Sequence, residues 1–115
     1  MLFRSDFDTN SNYDATTNYR FTPTIAGYYQ INAIITASSS ASGYISIATY
    51  KNGSLFIYGN TIPNSSVGPN ALTSVIVLCN GSTDYIEIYA YFGSTGNVYA
   101  TYARTYFTGS MVRSS

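Results

Sequence analysis

The stretch YYQINAIIT, Tyr28 to Thr36, decides the class of fold. Tyr29, Ile31, Ala33 and Ile35 fall on one side of an extended chain and Tyr28, Gln30, Asn32 and Ile34 on the other, the period of two that belongs to a β-strand. Nowhere does a helical period persist over the roughly ten residues a helix needs, so the chain reads as all-β. ASSSASG (37–43) ends this strand. Beyond it, YISIATYKNGSLFIYGN (44–60) reads as two short strands joined at Asn52-Gly53, a dipeptide that tolerates positive φ in a tight hairpin. TIPNSSVGPN (61–70), with Pro63, Gly68 and Pro69, reads as a long surface loop. ALTSVIVLC (71–79) and DYIEIYAYF (84–92) are the next strands, joined by NGST, and RTYFTGSMV (104–112) is the last.

A chain of 115 residues makes one domain, here 1–115, with a lead-in segment and turns over 1–20 and the main strands over 21–113. About seven short strands must stack or close to bury a face, which means a sandwich or a barrel. In DYIEIYAYF the set Ile86, Ile88, Ala90 and Phe92 makes the core side, yet the opposite set Tyr85, Glu87, Tyr89 and Tyr91 is largely aromatic. A monomer does not usually leave that much contiguous aromatic surface in water. Two coverings are open: a second layer within the same chain, or other subunits. Tyr28, Ile34, Tyr89 and Tyr91 are the candidates for a subunit interface.

Five basic and five acidic residues give zero formal charge with no run of either sign, which disfavours nucleic acid and anionic membranes as partners. No stretch approaches the roughly 20 apolar residues of a membrane span, and MLFRSDFD lacks the apolar region of a signal peptide. Aromatic residues at 17%, including 13 Tyr, distinguish the chain from a disordered one. The single cysteine, Cys79, reads as an inert thiol at the end of a buried strand, and without any histidine a Cys-His pair is excluded. Asp84 and Glu87 are the only carboxylates beyond the lead-in. Such a pair is in principle capable of acid–base work on a glycoside, but its ordinary reading is a solvated turn end. The sequons at Asn52, Asn64 and Asn80 are expected by chance in a chain so rich in Asn, Ser and Thr. In DFDTNSNYD, oxygen ligands recur at Asp6, Asp8, Asn10, Asn12 and Asp14, but an EF-hand loop requires Gly where Ser11 stands and Glu where Thr17 stands. Turn chemistry accounts for the segment better. No catalytic residue, cofactor or metal is expected.

YDATTNYRFTPTIAGYYQINA (13–33) resembles the signature of C1q-like domains, in which an Asn-Tyr-Asp turn and a Phe lead into a Gly-x-Tyr strand. YKNGSL resembles that family's Lys-Asn-Gly hairpin, LTSVIVLCNGSTDYIEI its paired strands around a Gly-Asp turn, and YFTGSMV its closing Phe-x-Gly strand. The resemblance spans nearly the whole chain. It implies a ten-stranded C1q/TNF-like jelly-roll sandwich that assembles as a homotrimer, and the wording from Phe7 to Asn32 is most similar to C1q-like modules of bacteriophage structural proteins. The family's first strand, ahead of the position of Phe7, is expected to be missing, and its Gly-Asp turn is lengthened to NGSTD.

The expectation is a non-enzymatic, trimeric module on a virion surface. As a fibre knob it would attach to host glycan or protein through the loops TASSSASG and TIPNSSVGPN, with Tyr44 and Tyr58 as the ligand-stacking candidates. The alternative is a capsid decoration protein that stabilises the shell, which a chain starting at Met1 without a stalk favours. A glycan-cleaving enzyme on the same fold is the least favoured reading. The expected partners are further copies of the chain, other virion proteins and the host surface.

Overall fold

The computed structural model describes residues 12–14, 19–36, 44–63, 70–92 and 105–115. Eight strands are present among them: β1 (Tyr13–Asp14), β2 (Arg20–Phe21), β3 (Gly27–Thr36), β4 (Tyr44–Lys51), β5 (Ser54–Pro63), β6 (Asn70–Cys79), β7 (Ile86–Phe92) and β8 (Tyr106–Ser114). They form two antiparallel sheets, one ordered β1-β2-β7-β4-β5 and the other β6-β3-β8. Apart from the β1–β2 and β4–β5 connections, every link between consecutive strands crosses from one sheet to the other. The chain thus sews its two layers together, so neither sheet can form its core face without the other.

The alternation in β3 works out as its sequence implies. Tyr29, Ile31, Ala33 and Ile35 are buried between the layers, where they meet Ile45 and Ile47 of β4, Ala71, Val77 and Cys79 of β6, and Ile86 and Ile88 of β7. Cys79 is buried in this cluster, and burial pushes its thiol up from the ordinary cysteine value, away from the reactive thiolate. Phe21 packs edge-on against Tyr29 and tilted against Phe107, which also meets the Tyr13 ring. The short β1–β2 ribbon is therefore anchored by aromatic packing more than by its few ladder pairs. At the other end the Asn52-Gly53 turn has positive φ at both residues, 55° and 82°, as a two-residue hairpin linking right-twisted strands requires.

Several strand limits differ from the sequence expectation: β6 begins at Asn70, β7 at Ile86 and β8 at Tyr106. Thr61, Ile62 and Pro63, expected in a surface loop, extend β5, with Pro63 opposite Tyr44. β5 lies at the edge of its sheet, where a proline interrupts no second ladder. The last strand runs on past Val112 to Ser114. The loop residues 37–43 and 64–69, as well as Asp6, Asp8 and Asn10, lie outside the described residues, as does any strand ahead of Phe7.

Candidate functional site

The outward side of the three-stranded sheet is laid out in four cross-strand rows. They are Leu72–Ile34–Tyr106, Ser74–Asn32–Thr108, Ile76–Gln30–Ser110 and Leu78–Tyr28–Arg113, fixed by the ladders of β3 with β6 and β8. Leu72, Ile76 and Leu78 are 49%, 52% and 45% exposed. Between the apolar ends lies a polar centre that bonds mainly to itself. The Gln30 amide donates to Ser74 Oγ at 2.9 Å and to Asn32 Oδ1 at 3.2 Å, Ser74 Oγ donates to Asn32 Oδ1 at 2.8 Å, and Asn32 Nδ2 donates to Thr108 Oγ1 at 3.3 Å. An open groove runs beside this network between Ile34, Leu72 and Tyr106. The rows contain no carboxylate, and their only cation, Arg113, lies over the Tyr28 ring at 4.5 Å from its centroid.

The opposite surface of the molecule, the outward side of the five-stranded sheet, is built differently. Its interior strand β4 places Ser46 and Ala48 outward, between Tyr91 and Tyr89 of β7 on one side and Thr61 and Tyr58 of β5 on the other. Both small residues are nevertheless buried, because larger neighbours close over them. The Tyr50 ring stacks on Tyr89 with centroids 4.2 Å apart and planes 19° from parallel, and its hydroxyl is hydrogen-bonded to that of Tyr91. That bond, followed by burial, raises the Tyr91 phenol to about 12. Tyr58 is 63% exposed beside them. At the border Arg20 lies 3.9 Å from the Tyr85 ring centroid and pairs with Glu87 at 3.3 Å.

The turns at the Asn52-Gly53 end are locked to one another. Asn52 donates through Nδ2 to Asp84 Oδ1 and exchanges backbone-directed bonds with Tyr85, its N–H donating to the Tyr85 carbonyl and its Oδ1 accepting from the Tyr85 N–H. Asn80 Oδ1 accepts from three consecutive backbone N–H groups, those of Ser82, Thr83 and Asp84. Asp84 Oδ2 accepts from the Asn80 N–H and lies 3.7 Å from Lys51 Nζ, which donates to the Leu78 carbonyl. Asp84 is thus a structural brace and not a solvated turn end, and Glu87 is ion-paired, so neither stands ready as a general acid. The hydrogen bond from Asn52 is the largest influence on Asp84; it holds the carboxyl below its ordinary 3.8, aided by the Asn80 N–H and Lys51 and opposed by burial.

A carboxyl depressed by folding adds stability that is present above its unfolded value and is lost as the pH falls through its folded value. The melting temperature is accordingly expected to hold down to about pH 4 and to fall below it. Asp84→Asn should flatten that acid limb and lower the neutral-pH melting temperature by about 4–8 °C, the equivalent of roughly 1 kcal/mol in a domain of this size. An acid limb unchanged in the variant would show that the brace carries none of the pH dependence.

No protein-family model matches the chain, and no curated protein is similar to it. Among solved structures, the chain is similar to the crystal structure of pika GITRL, a TNF-family ligand, with a TM-score of 0.56 over 91% of this chain and 86% of that one, at 21% identity. The fold is a C1q/TNF-like jelly roll. At that identity the likeness concerns the fold, and the neighbour is a ligand rather than an enzyme.

Within the jelly roll the four interface candidates separate. Tyr28 and Ile34 lie on the outward side of β6-β3-β8, whereas Tyr89 and Tyr91 lie on the outward side of the other sheet. No single patch contains all four. Of the two ligand candidates, Tyr44 begins β4, and Tyr58 stands in the middle of β5 rather than at the edge of a loop. Tyr50 is not singled out by the sequence. Its signal was the placement of Tyr two residues beyond Ala48 on the strand facing Tyr89, which becomes legible only once β4 and β7 are known to pair.

Proposed function

We propose that the chain is a non-enzymatic homotrimeric module of a virion surface, of bacteriophage type, that attaches to the host. The jelly-roll fold is compatible with self-association. The observation that carries the reading is the outward side of β6-β3-β8. On an apolar surface free of carboxylates, the hydrogen bonds that Gln30, Asn32, Ser74 and Thr108 make to one another reduce what burial would strand. Solvent-facing amides ordinarily bond to water, so this inward-turned network suits a surface that another copy covers. A three-fold ring uses two different patches per subunit, and the edge strand β5, with Leu55, Phe56 and Ile57 all exposed, supplies a second apolar patch near the first.

Light scattering should give three times the 12.5 kDa chain mass at micromolar concentration. Ile34→Glu, which sets a charge between Leu72 and Tyr106, should raise the dissociation midpoint at least a hundredfold, while Tyr89→Glu on the far sheet should leave assembly intact. A monomeric wild type would end the trimer reading; a trimer broken by Tyr89→Glu but not by Ile34→Glu would move its interface to the other sheet. Attachment itself is tested by adsorption of the trimer to host cells. Binding to purified capsids with increased heat resistance, in place of adsorption, would replace attachment by shell stabilisation.

A further inference from the structure

We infer that the tyrosine surface formed by Tyr50, Tyr58, Tyr89 and Tyr91 on the five-stranded sheet is a binding platform for a neutral glycan. This rests on the attachment reading and relocates its contact from the loops to a sheet. The surface is built as a unit. Ala48 and Ser46 on β4 are small, so the flanking rings can close over them, and a larger residue at either position would interrupt the aromatic surface. The Tyr50–Tyr89 stack and the Tyr50–Tyr91 hydroxyl bond hold three of the rings in one arrangement, which leaves little side-chain freedom to be lost when a ligand arrives. Tyr58, the most exposed of the large apolar residues among those described, adds a ring on the other side of Ala48.

The chemistry of the occupant follows from what borders the platform. Glu87 is matched by Arg20, and Lys51 is committed to Asp84 and to the Leu78 carbonyl. Among the described residues no unmatched charge borders the platform, so the complementary partner is uncharged. Aromatic faces bearing phenol hydroxyls suit a ligand that is apolar on one side and hydroxyl-rich at its rim. A pyranose has that form, with its axial C–H groups able to lie on a ring while its hydroxyls exchange hydrogen bonds with phenols and with the exposed Thr61 hydroxyl, which donates to the buried Ser46 Oγ beneath it. A protein partner of comparable affinity would need an area on the order of 800 Å² per side, more than four rings supply.

The test uses the intact protein on a printed panel of neutral oligosaccharides beside sialylated and uronic-acid ones, with binding followed by titration of the best responder. Selective binding to neutral glycans is expected, with an affinity loss of at least tenfold in both Tyr58→Ala and Tyr89→Ala. Tyr58→Ala touches neither the stack nor the hydroxyl bond, so it keeps the test valid if Tyr89→Ala disturbs the fold. A blank panel, a preference for acidic glycans, or neutral binding indifferent to Tyr58→Ala would each overturn the inference. The two readings fail separately: a trimer that adsorbs to cells but gives a blank panel loses the glycan platform and keeps attachment, whereas neutral-glycan binding without adsorption keeps the platform and loses attachment.

Discussion

Gly59→Ala is expected to cost about 3 kcal/mol, the upper end of what overpacking usually does, although it adds a single methyl group. A Cβ at this position would lie 2.5 Å from Ile47 Cγ2, 2.5 Å from the Leu72 carbonyl oxygen and 2.9 Å from Thr73 Cβ. The side chain of Ile47 has some room to turn, but the Leu72 carbonyl is backbone of β6 in the opposite sheet and cannot turn aside by a change of rotamer. Gly59 sits where β5 of one sheet meets β6 of the other, at the irregularity between Ser46 and Ala48 in the β4–β5 ladder, and Asn60 Oδ1 holds the same junction by accepting from the Leu72 N–H at 2.8 Å. Chemical denaturation should show the midpoint lowered with the slope unchanged. A loss below about 1 kcal/mol would mean that the two sheet edges are not in close approach there.

Ile47→Ala should cost about 4 kcal/mol, within the range for deleting a fully enclosed aliphatic side chain. Ile47 is 0% exposed on β4, whose partners β5 and β7 on either side restrict backbone collapse into the vacated space. Against a total of about 5–15 kcal/mol for an ordinary domain, this one change removes a large share. Because Ile47 is also one of the atoms a methyl at position 59 would meet, the double variant is expected to lose less than the sum of the two singles, with a coupling of about 1 kcal/mol. Strict additivity, measured by denaturant midpoints, would disconnect the two positions.

How far the sequence carries is clearest in β3 and β7. Alternation divides YYQINAIIT into two sides correctly and places Ile86, Ile88 and Ala90 of β7 on the core side, because period two is a local property, and Asn52-Gly53 marks its hairpin for the same reason. Alternation does not say which sheet a strand joins. Tyr28 and Tyr89 therefore look equivalent in sequence and stand on opposite surfaces of the molecule. Pro63 is similar, since proline fits a ladder chiefly at an edge, and edge status is a matter of topology. The Asp84 brace was invisible because its partner Asn52 is 32 residues away along the chain. The tyrosine surface needed both β4 ladders before Tyr50, Tyr58, Tyr89 and Tyr91 became neighbours.

The locked turns carry a consequence for how the protein ages. Asn52 and Asn80 are each followed by glycine, the pairing most susceptible to succinimide formation, in which the glycine nitrogen attacks the asparagine side-chain carbon and ammonia is lost. In the folded chain both carboxamides are held by several hydrogen bonds, and Gly53 and Gly81 are fixed at positive φ. Swinging either carboxamide into position for attack requires those bonds to break first. The same contacts that join the turns therefore slow the chemical clock at both sites, and the molecule's covalent lifetime is tied to how rarely that end of the sandwich opens.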